Sequence, residues 1–181
     1  MSTSKATFTN LAEASAAAPS TRERDAFHES SHATVAVLLG IAVDAIELLP
    51  EGSNPSAKFR FGKVTRDQHD LIPVVCAAGR IGELTYDPTA PEEPRQRDTL
   101  IAKRSLRGRL DLLFPAAQQE YLKAAEMEAL KIVAGHWPAI TALANELLAK
   151  GKMTGAEVES FVRQHLAGHV ARPDNALKTE H

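Results

Sequence analysis

The chain is poor in cysteine and has no long apolar run. Cys76 is its single cysteine, which excludes an intramolecular disulfide and is typical of proteins from a reducing compartment. We therefore expect a cytoplasmic protein in which Cys76 is buried in the core. No apolar stretch approaches the roughly 20 residues that a membrane helix needs, and the N-terminus lacks the basic-then-apolar pattern of a signal peptide. These absences predict a chain without a membrane segment.

An excess of one charge is also missing, because 21 Lys and Arg residues stand against 23 Asp and Glu residues, for a formal net charge of -2. This balance argues against a nucleic-acid partner. There is no glycine-rich nucleotide loop of the Walker type, so we expect no ATPase in the chain. Its 181 residues and 44% hydrophobic content predict one domain over residues 20–166, between a disordered tail over 1–19 and a flexible tail over 167–181.

What the chain does contain is an HExxH pattern, His28-Glu29-Ser30-Ser31-His32. Two histidines four residues apart lie on one face of a helix, so their imidazoles can converge on a single zinc ion. Glu29 then lies beside the metal, where a carboxylate can take a proton from a water that zinc activates. Zinc is the expected ion, although other divalent ions also bind histidine and carboxylate.

The residues around this pattern predict a helix from about Thr21 to Leu39. Ser20 and Glu23 have the spacing of a capping box at its start, and Gly40 is a natural stop at its end. Because HExxH needs a helix to bring its histidines together, this context favours a metal site. The alternative is a surface helix that carries two histidines and a glutamate by chance.

The segment over residues 22–40, RERDAFHESSHATVAVLLG, resembles the proteolytic domain of the FtsH-type, AAA+-linked zinc metallopeptidases. In that family an aromatic residue, here Phe27, precedes the pattern, and a run similar to residues 32–40 follows it. The family usually has glycine before the second histidine, where this chain has Ser31. Serine is small and a helix tolerates it, so we expect the site to be retained.

Weaker similarities follow in the order of the family's segments. They are an apolar strand that ends in proline (residues 46–50), a glycine-arginine segment (77–84), an Asp-x-x-x-Ala helix (98–102) and a closing helical pair (137–162). The resemblance spans about residues 22–163. It implies a mainly α (α+β) fold, with a helical zincin-like metallopeptidase domain and a small antiparallel β-sheet.

Sequence patterns beyond the first helix predict one small sheet and further helices. Strands are predicted over residues 41–49 and 58–64, and we expect them to pair antiparallel. A second helix is predicted over residues 66–84, with Pro73 marking a kink or a later start. Four more helices are predicted over about residues 95–113, 115–135, 138–150 and 154–166.

A catalytic zinc site usually takes three protein ligands, so the two histidines need a partner. The resemblance implies Asp98, at the start of the Asp-x-x-x-Ala helix. The alternative for Asp98 is a carboxylate that merely suits the first turn of a helix. Glu83, Asp87 and Asp111 are the other candidate ligands. Glu83 is also suited to hydrogen-bond a ligand histidine without contacting the metal. Arg80 is expected to pair with a buried carboxylate, and the alternative is that it caps the turn at the end of the helix.

The motif and the resemblance together predict a zinc metallopeptidase that cleaves unfolded segments or peptides without an ATPase of its own. His28, His32 and Asp98 would hold the zinc, and Glu29 would move the proton. The resemblance further implies a separate AAA+ ATPase as a candidate partner and a hexameric homo-oligomer. The alternative is a catalytically weak or inactive protease-like module that acts as a binding or regulatory partner of another protein.

Overall fold

Six α-helices and a three-stranded sheet make up most of the protein in a computed structural model, which describes residues 18–91, 96–107 and 114–170. The mainly α (α+β) fold class with a small antiparallel sheet is confirmed, while the zincin-like identity stays a prediction. Most of the two predicted tails lies outside the described residues. Among the described residues, no helix is both long and apolar enough to cross a membrane.

Helix α1 (Thr21–Leu38) begins where the sequence predicts. The Ser20 hydroxyl accepts a hydrogen bond from the Glu23 amide at 3.2 Å, and the Glu23 carboxylate accepts one from the Ser20 amide at 2.7 Å. The turn after α1 passes through Gly40, whose φ of 71° is a left-handed conformation that favours glycine. All residues over 25–36 are buried, because α2, α5 and the sheet pack against this helix.

The sheet consists of β1 (Val43–Leu48), β2 (Ala57–Phe61) and β3 (Lys152–Thr154), in the order β2-β1-β3. The predicted antiparallel pairing of the first two strands is confirmed, with Ile46 opposite Phe59. Sequence patterns do not predict β3, since three residues are too few to show alternation. Its Met153 is buried opposite Ile46 on the other side of β1. Within the described sheet, β2 is therefore an edge strand.

Helix α2 (Ile72–Tyr86) follows a short 3-10 helix (Arg66–Leu71). Of the two alternatives for Pro73, a kink or a later helix start, the later start is therefore right. Pro73 lies in the first turn of α2, where a missing amide hydrogen leaves no helical bond unmade. α2 packs against α1, α3 and α4 and buries Cys76, as expected. Through this packing α2 forms one wall of the site.

The remaining helices are α3 (Gln96–Ser105), α4 (Pro115–Gly135), α5 (Trp137–Lys150) and α6 (Gly155–Val170). α3 ends before the predicted residue 113, and residues 108–113 lie outside the described part of the chain. α6 continues to Val170, past its predicted end at about Leu166, whose side chain packs on the core. Gly155 lets α6 start against β1, because a Cβ there would collide with the Val43 carbonyl oxygen.

The core lies where α1, α2, α4, α5 and α6 meet the sheet. Its largest fully buried side chains include Val35, Ile46, Ile140, Leu143 and Met153. Fully burying each such side chain contributes on the order of 1.5–3 kcal/mol to folding. This packing fixes α1 between α2, α5 and the sheet, so the side chains of its second and third turns have little freedom.

Candidate metal centre

Helix α1 brings the two histidines of the HExxH pattern together. The His28 and His32 Nε2 atoms lie 3.0 Å apart, and both side chains are buried. The rings meet edge to face, with their centroids 4.6 Å apart. This closeness follows from helical geometry, because residues four apart stand one turn above each other.

Asp98 reaches the same point from the first turn of α3. Its Oδ2 atom lies 3.1 Å from His28 Nε2 and 3.4 Å from His32 Nε2. Ligand atoms of these three side chains all lie within 4.8 Å of one another, and they form a group able to hold a metal ion. The structure thus brings together the three residues that the sequence analysis proposes as ligands.

The size of this triangle fits zinc. Its edges, measured between the three donor atoms, are 3.0, 3.1 and 3.4 Å. A tetrahedral zinc ion with bonds of about 2.0–2.1 Å separates its ligand atoms by roughly 3.3–3.4 Å. Small movements of the side chains would bring the three atoms onto one face of such a tetrahedron.

Hydrogen bonds at the two Nδ1 atoms determine which ring nitrogens carry the lone pairs that point into this triangle. His32 Nδ1 donates to the Val75 carbonyl oxygen at 2.7 Å, and a carbonyl can only accept. His28 Nδ1 lies 3.3 Å from the Glu83 carboxylate, which accepts in the same way. In the neutral imidazoles both Nε2 atoms therefore carry lone pairs, as metal ligands require. With the Asp98 oxygen, three lone pairs face one another, and a cation between them relieves their repulsion.

Glu83 belongs to this supporting layer and not to the triangle itself. Its buried carboxylate lies 3.3 Å from Arg80 Nη1, and Arg80 Nη2 donates to the Ala90 carbonyl oxygen at 3.3 Å. The predicted pairing of Arg80 with a buried carboxylate is confirmed. An anionic Glu83 behind His28 orients the ring and makes its Nε2 atom a better donor to a metal.

The other two alternative ligands do not join the site. Asp87 accepts hydrogen bonds from the Thr89 hydroxyl at 2.6 Å and from Arg24 at 3.3 Å, and it is not in the metal-binding group. These bonds lower its pKa, with Thr89 contributing most. Asp111 lies outside the described residues. Asp87 thus ties the loop after α2 to α1.

Two glycines of α2 allow this helix to approach α1. A Cβ on Gly79 would collide with the His32 ring and come within 2.7 Å of His28 Nε2. A Cβ on Gly82 would collide with the Ser31 hydroxyl, which donates to the Phe27 carbonyl oxygen at 2.7 Å. Ser31, the departure from the family pattern, is therefore accommodated without displacing the histidines.

Replacing Gly79 with alanine is expected to weaken zinc binding by roughly 10–100-fold, because the new methyl group displaces the ligand histidines. Zinc affinity can be measured by competition with a chromogenic chelator. Gly135→Ala is the matched control, since a Cβ at that helical glycine would meet no atom within 4 Å. The control should bind zinc as the wild type does. Equal affinities for all three proteins would contradict the close approach of α2.

Glu29 lies on the side of α1 that opens into a cavity of about 280 Å³. The same cavity contains His28, His32 and Asp98, so Glu29 and the donor triangle share one space. The apolar part of the wall consists of Pro55, Ala57, Phe59, Phe61, Cys76 and Ile101. A substrate group that enters the cavity would meet the donor triangle and Glu29 together.

The electrostatics of the two carboxylates differ. Burial raises the pKa of Glu29 above its ordinary value, even though His28 and His32 oppose this shift. Partial burial would also raise the pKa of Asp98, but its close contacts with the His28 and His32 rings outweigh burial and hold that pKa well below its ordinary range. Asp98 thus stays a carboxylate, while burial shifts Glu29 towards its protonated form.

Cys76 lines the cavity without the properties of a reactive group. Burial raises the pKa of its thiol to about 12, so it stays protonated near neutral pH. The side chain packs with Ile72 and Ala102, which agrees with the core role expected from the sequence.

Some residues of the site have no counterpart in the sequence analysis. The Val75 carbonyl holds His32, and the Phe59 ring lies 5.4 Å from the His32 ring between centroids. Gly79 falls in the glycine-arginine segment over residues 77–84, and this similarity is the sequence signal that could have pointed to it. A backbone carbonyl has no such signal, because any residue can supply one.

Compared with known protein families and with curated proteins, the chain gives no match. The likeness to FtsH-type metallopeptidases therefore rests on the motif residues quoted above. Independent support for a function comes from the geometry of the donor triangle and its surroundings.

Proposed function

We propose that this protein is a zinc-dependent metallopeptidase that hydrolyses peptide bonds of unfolded segments or peptides. One observation carries the proposal. Two histidine lone pairs and a carboxylate oxygen converge within 3.4 Å, and a buried glutamate opens on the same cavity. Three protein ligands that leave a fourth position open are typical of catalytic rather than structural zinc.

His28, His32 and Asp98 would hold the metal. When bound, zinc supplies a Lewis acid that lowers the pKa of water and polarises a substrate carbonyl. Glu83 and the Val75 carbonyl keep the two imidazoles in the tautomer that binds metal, since each accepts a hydrogen bond from an Nδ1–H group.

Glu29 performs the proton transfer. Its carboxylate takes a proton from the attacking water, so that the hydroxide oxygen bonds to the carbonyl carbon. The same proton then passes from Glu29 to the amide nitrogen as the C–N bond breaks, which gives a carboxylic acid and an amine. The raised pKa of Glu29 suits this role, because a base that must return its proton works best near the ambient pH.

The surroundings of Glu29 support this chemistry. Phe59, Phe61 and Ile101 form an apolar part of the cavity wall, and apolar surface near a charged group strengthens its electrostatic interactions. A cavity of about 280 Å³ admits a side chain and a stretch of backbone but not a folded protein. The substrate would therefore be an extended peptide or an unfolded segment. A separate ATPase partner and a hexameric assembly stay predictions from the family resemblance.

The proposal is tested by measuring metal content and peptidase activity on the same purified protein. Elemental mass spectrometry should find about one zinc per chain. Cleavage of a fluorescent unfolded protein should stop when a chelator removes the zinc and return when zinc is added back. No bound metal after zinc is supplied would contradict the proposal. One zinc per chain without cleavage would favour the protease-like binding module instead.

A further inference from the structure

The cavity beside the donor triangle contains two cations as well as apolar side chains. Lys58 lies on β2 and Arg97 lies one residue before Asp98 on α3, and both line the cavity. Phe59, Phe61 and Ile101 are their apolar neighbours in the wall. A ligand that fills this space therefore meets an apolar surface and positive charge together.

Neither of these two cations forms an ion pair among the described residues, and Glu47, which lies opposite Lys58 on β1, pairs with Lys152 at 3.5 Å. Within the described ranges, the side chains of Lys58 and Arg97 make no ion pair or hydrogen bond with another protein group. Elsewhere on the surface Arg60 pairs with Asp44 at 3.1 Å, which shows the ordinary arrangement in this protein. Lys58 is only half exposed, so part of its hydration is already lost.

A divalent ion in the donor triangle would leave the positive charge of Lys58 and Arg97 uncompensated. Glu29 and Asp98 are the acidic residues among its lining side chains. Asp98 is engaged with the two histidines, and a divalent ion held by that group would balance the two carboxylates. Lys58 and Arg97 would then attract an anion.

The occupant that fits best is a peptide. β2 is an edge strand of the described sheet, so one side of its backbone can pair with an extended chain beside the cavity. An extended peptide can place one apolar side chain against the apolar part of the wall. The groups that follow in the peptide then lie near Lys58 and Arg97. A small inorganic anion would leave the apolar wall unfilled.

We infer that this site selects peptides in which an apolar side chain is followed closely by a carboxylate, with Lys58 and Arg97 as the specificity-determining residues. The inference rests on the proposed peptidase function and names its substrate class. The carboxylate comes either from an acidic side chain or from a free C-terminus, since both present the same group.

Binding can be measured without turnover, by fluorescence anisotropy on the Glu29→Gln protein with and without zinc. Four labelled peptides share a phenylalanine and differ at the following residue, Asp or Asn, and at the C-terminus, free or amidated. The amidated Asn peptide should bind about tenfold more weakly than the peptide with both carboxylates. Comparing the two singly charged peptides shows which carboxylate is recognised. Equal binding of all four peptides would overturn the inference.

Charge reversal assigns the preference to the two residues. Lys58→Glu and Arg97→Glu should each weaken binding of the acidic peptide by about tenfold and leave zinc content unchanged. Arg163→Glu is the matched control, because Arg163 pairs with Glu159 on α6 and does not line the cavity. Lys58→Gln and Arg97→Gln, which only remove charge, replace any reversal variant that fails to fold. An equal effect of Arg163→Glu would assign the preference to net charge and overturn the role of these residues.

The experiments distinguish a failure of the substrate preference from a failure of the proposed peptidase function. If the neutral peptide is cleaved and the acidic peptides show no advantage, the peptidase proposal stands and the substrate preference is wrong. If no zinc binds, the peptidase proposal is wrong. The anisotropy series without zinc then decides the preference, because in the Glu29→Gln protein Asp98 is the one carboxylate among the lining residues that opposes Lys58 and Arg97.

Discussion

Glu29→Gln is expected to bind zinc as the wild type does and to lose peptide cleavage by roughly 10²–10⁴-fold. Glutamine keeps the size of the side chain but cannot take or return a proton. The three metal-binding side chains are unchanged, so about one zinc per chain should remain. The measurement is kcat/KM on a fluorescent peptide, with zinc content determined on the same sample.

Glu29→Asp is the control for this experiment, because it keeps the carboxylate and moves it back by one methylene group. Its activity should lie between those of the wild type and Glu29→Gln. Activity of Glu29→Gln within a few fold of the wild type would exclude Glu29 as the base. Loss of zinc from Glu29→Gln would instead show that this side chain supports the metal site.

His32→Ala is expected to abolish zinc binding and, with it, the stabilisation that zinc gives to the folded chain. A ligand that binds only the folded state at 1,000 times its dissociation constant stabilises that state by about 4 kcal/mol. The wild type should therefore melt at a clearly higher temperature with zinc than with a chelator. His32→Ala should melt at the same temperature in both conditions. Thermal unfolding followed by circular dichroism measures this difference.

His165→Ala is the matched control for that variant. His165 is half-buried and its Nδ1 atom donates to the Phe161 carbonyl oxygen at 2.9 Å, but it is outside the metal-binding group. It should keep the full zinc-dependent rise in melting temperature. A zinc-dependent rise in His32→Ala equal to that of the wild type would place the metal elsewhere in the chain.

The helices and their main boundaries followed from local patterns in the sequence. The capping box at Ser20 and Glu23, the glycine at position 40 and the proline near the start of α5 act within one or two turns of the chain. Local signals of this kind are present in the sequence before any tertiary contact forms. The same holds for the pairing of β1 with β2, whose strands are close in sequence.

Structure that depends on contacts between distant parts of the chain could not be predicted from local sequence patterns. β3 is only three residues long and exists because the chain before α6 lies alongside β1. This pairing joins residues more than a hundred positions apart, such as Ile46 and Met153, and a local pattern cannot report such a contact.

For the site, the amino-acid sequence by itself determined the pair of histidines and the glutamate between them, because helical periodicity converts a spacing of four into contact. Which carboxylate completes the group was decided by tertiary structure. Glu83 and Asp98 are both acidic residues far along the chain from His28. The packing of α2 places Glu83 behind the ring at Nδ1, while α3 places Asp98 in front at Nε2. Gly79 allows α2 to approach α1, and α3 packs against α2. This arrangement makes the distinction, and no spacing in the sequence encodes it.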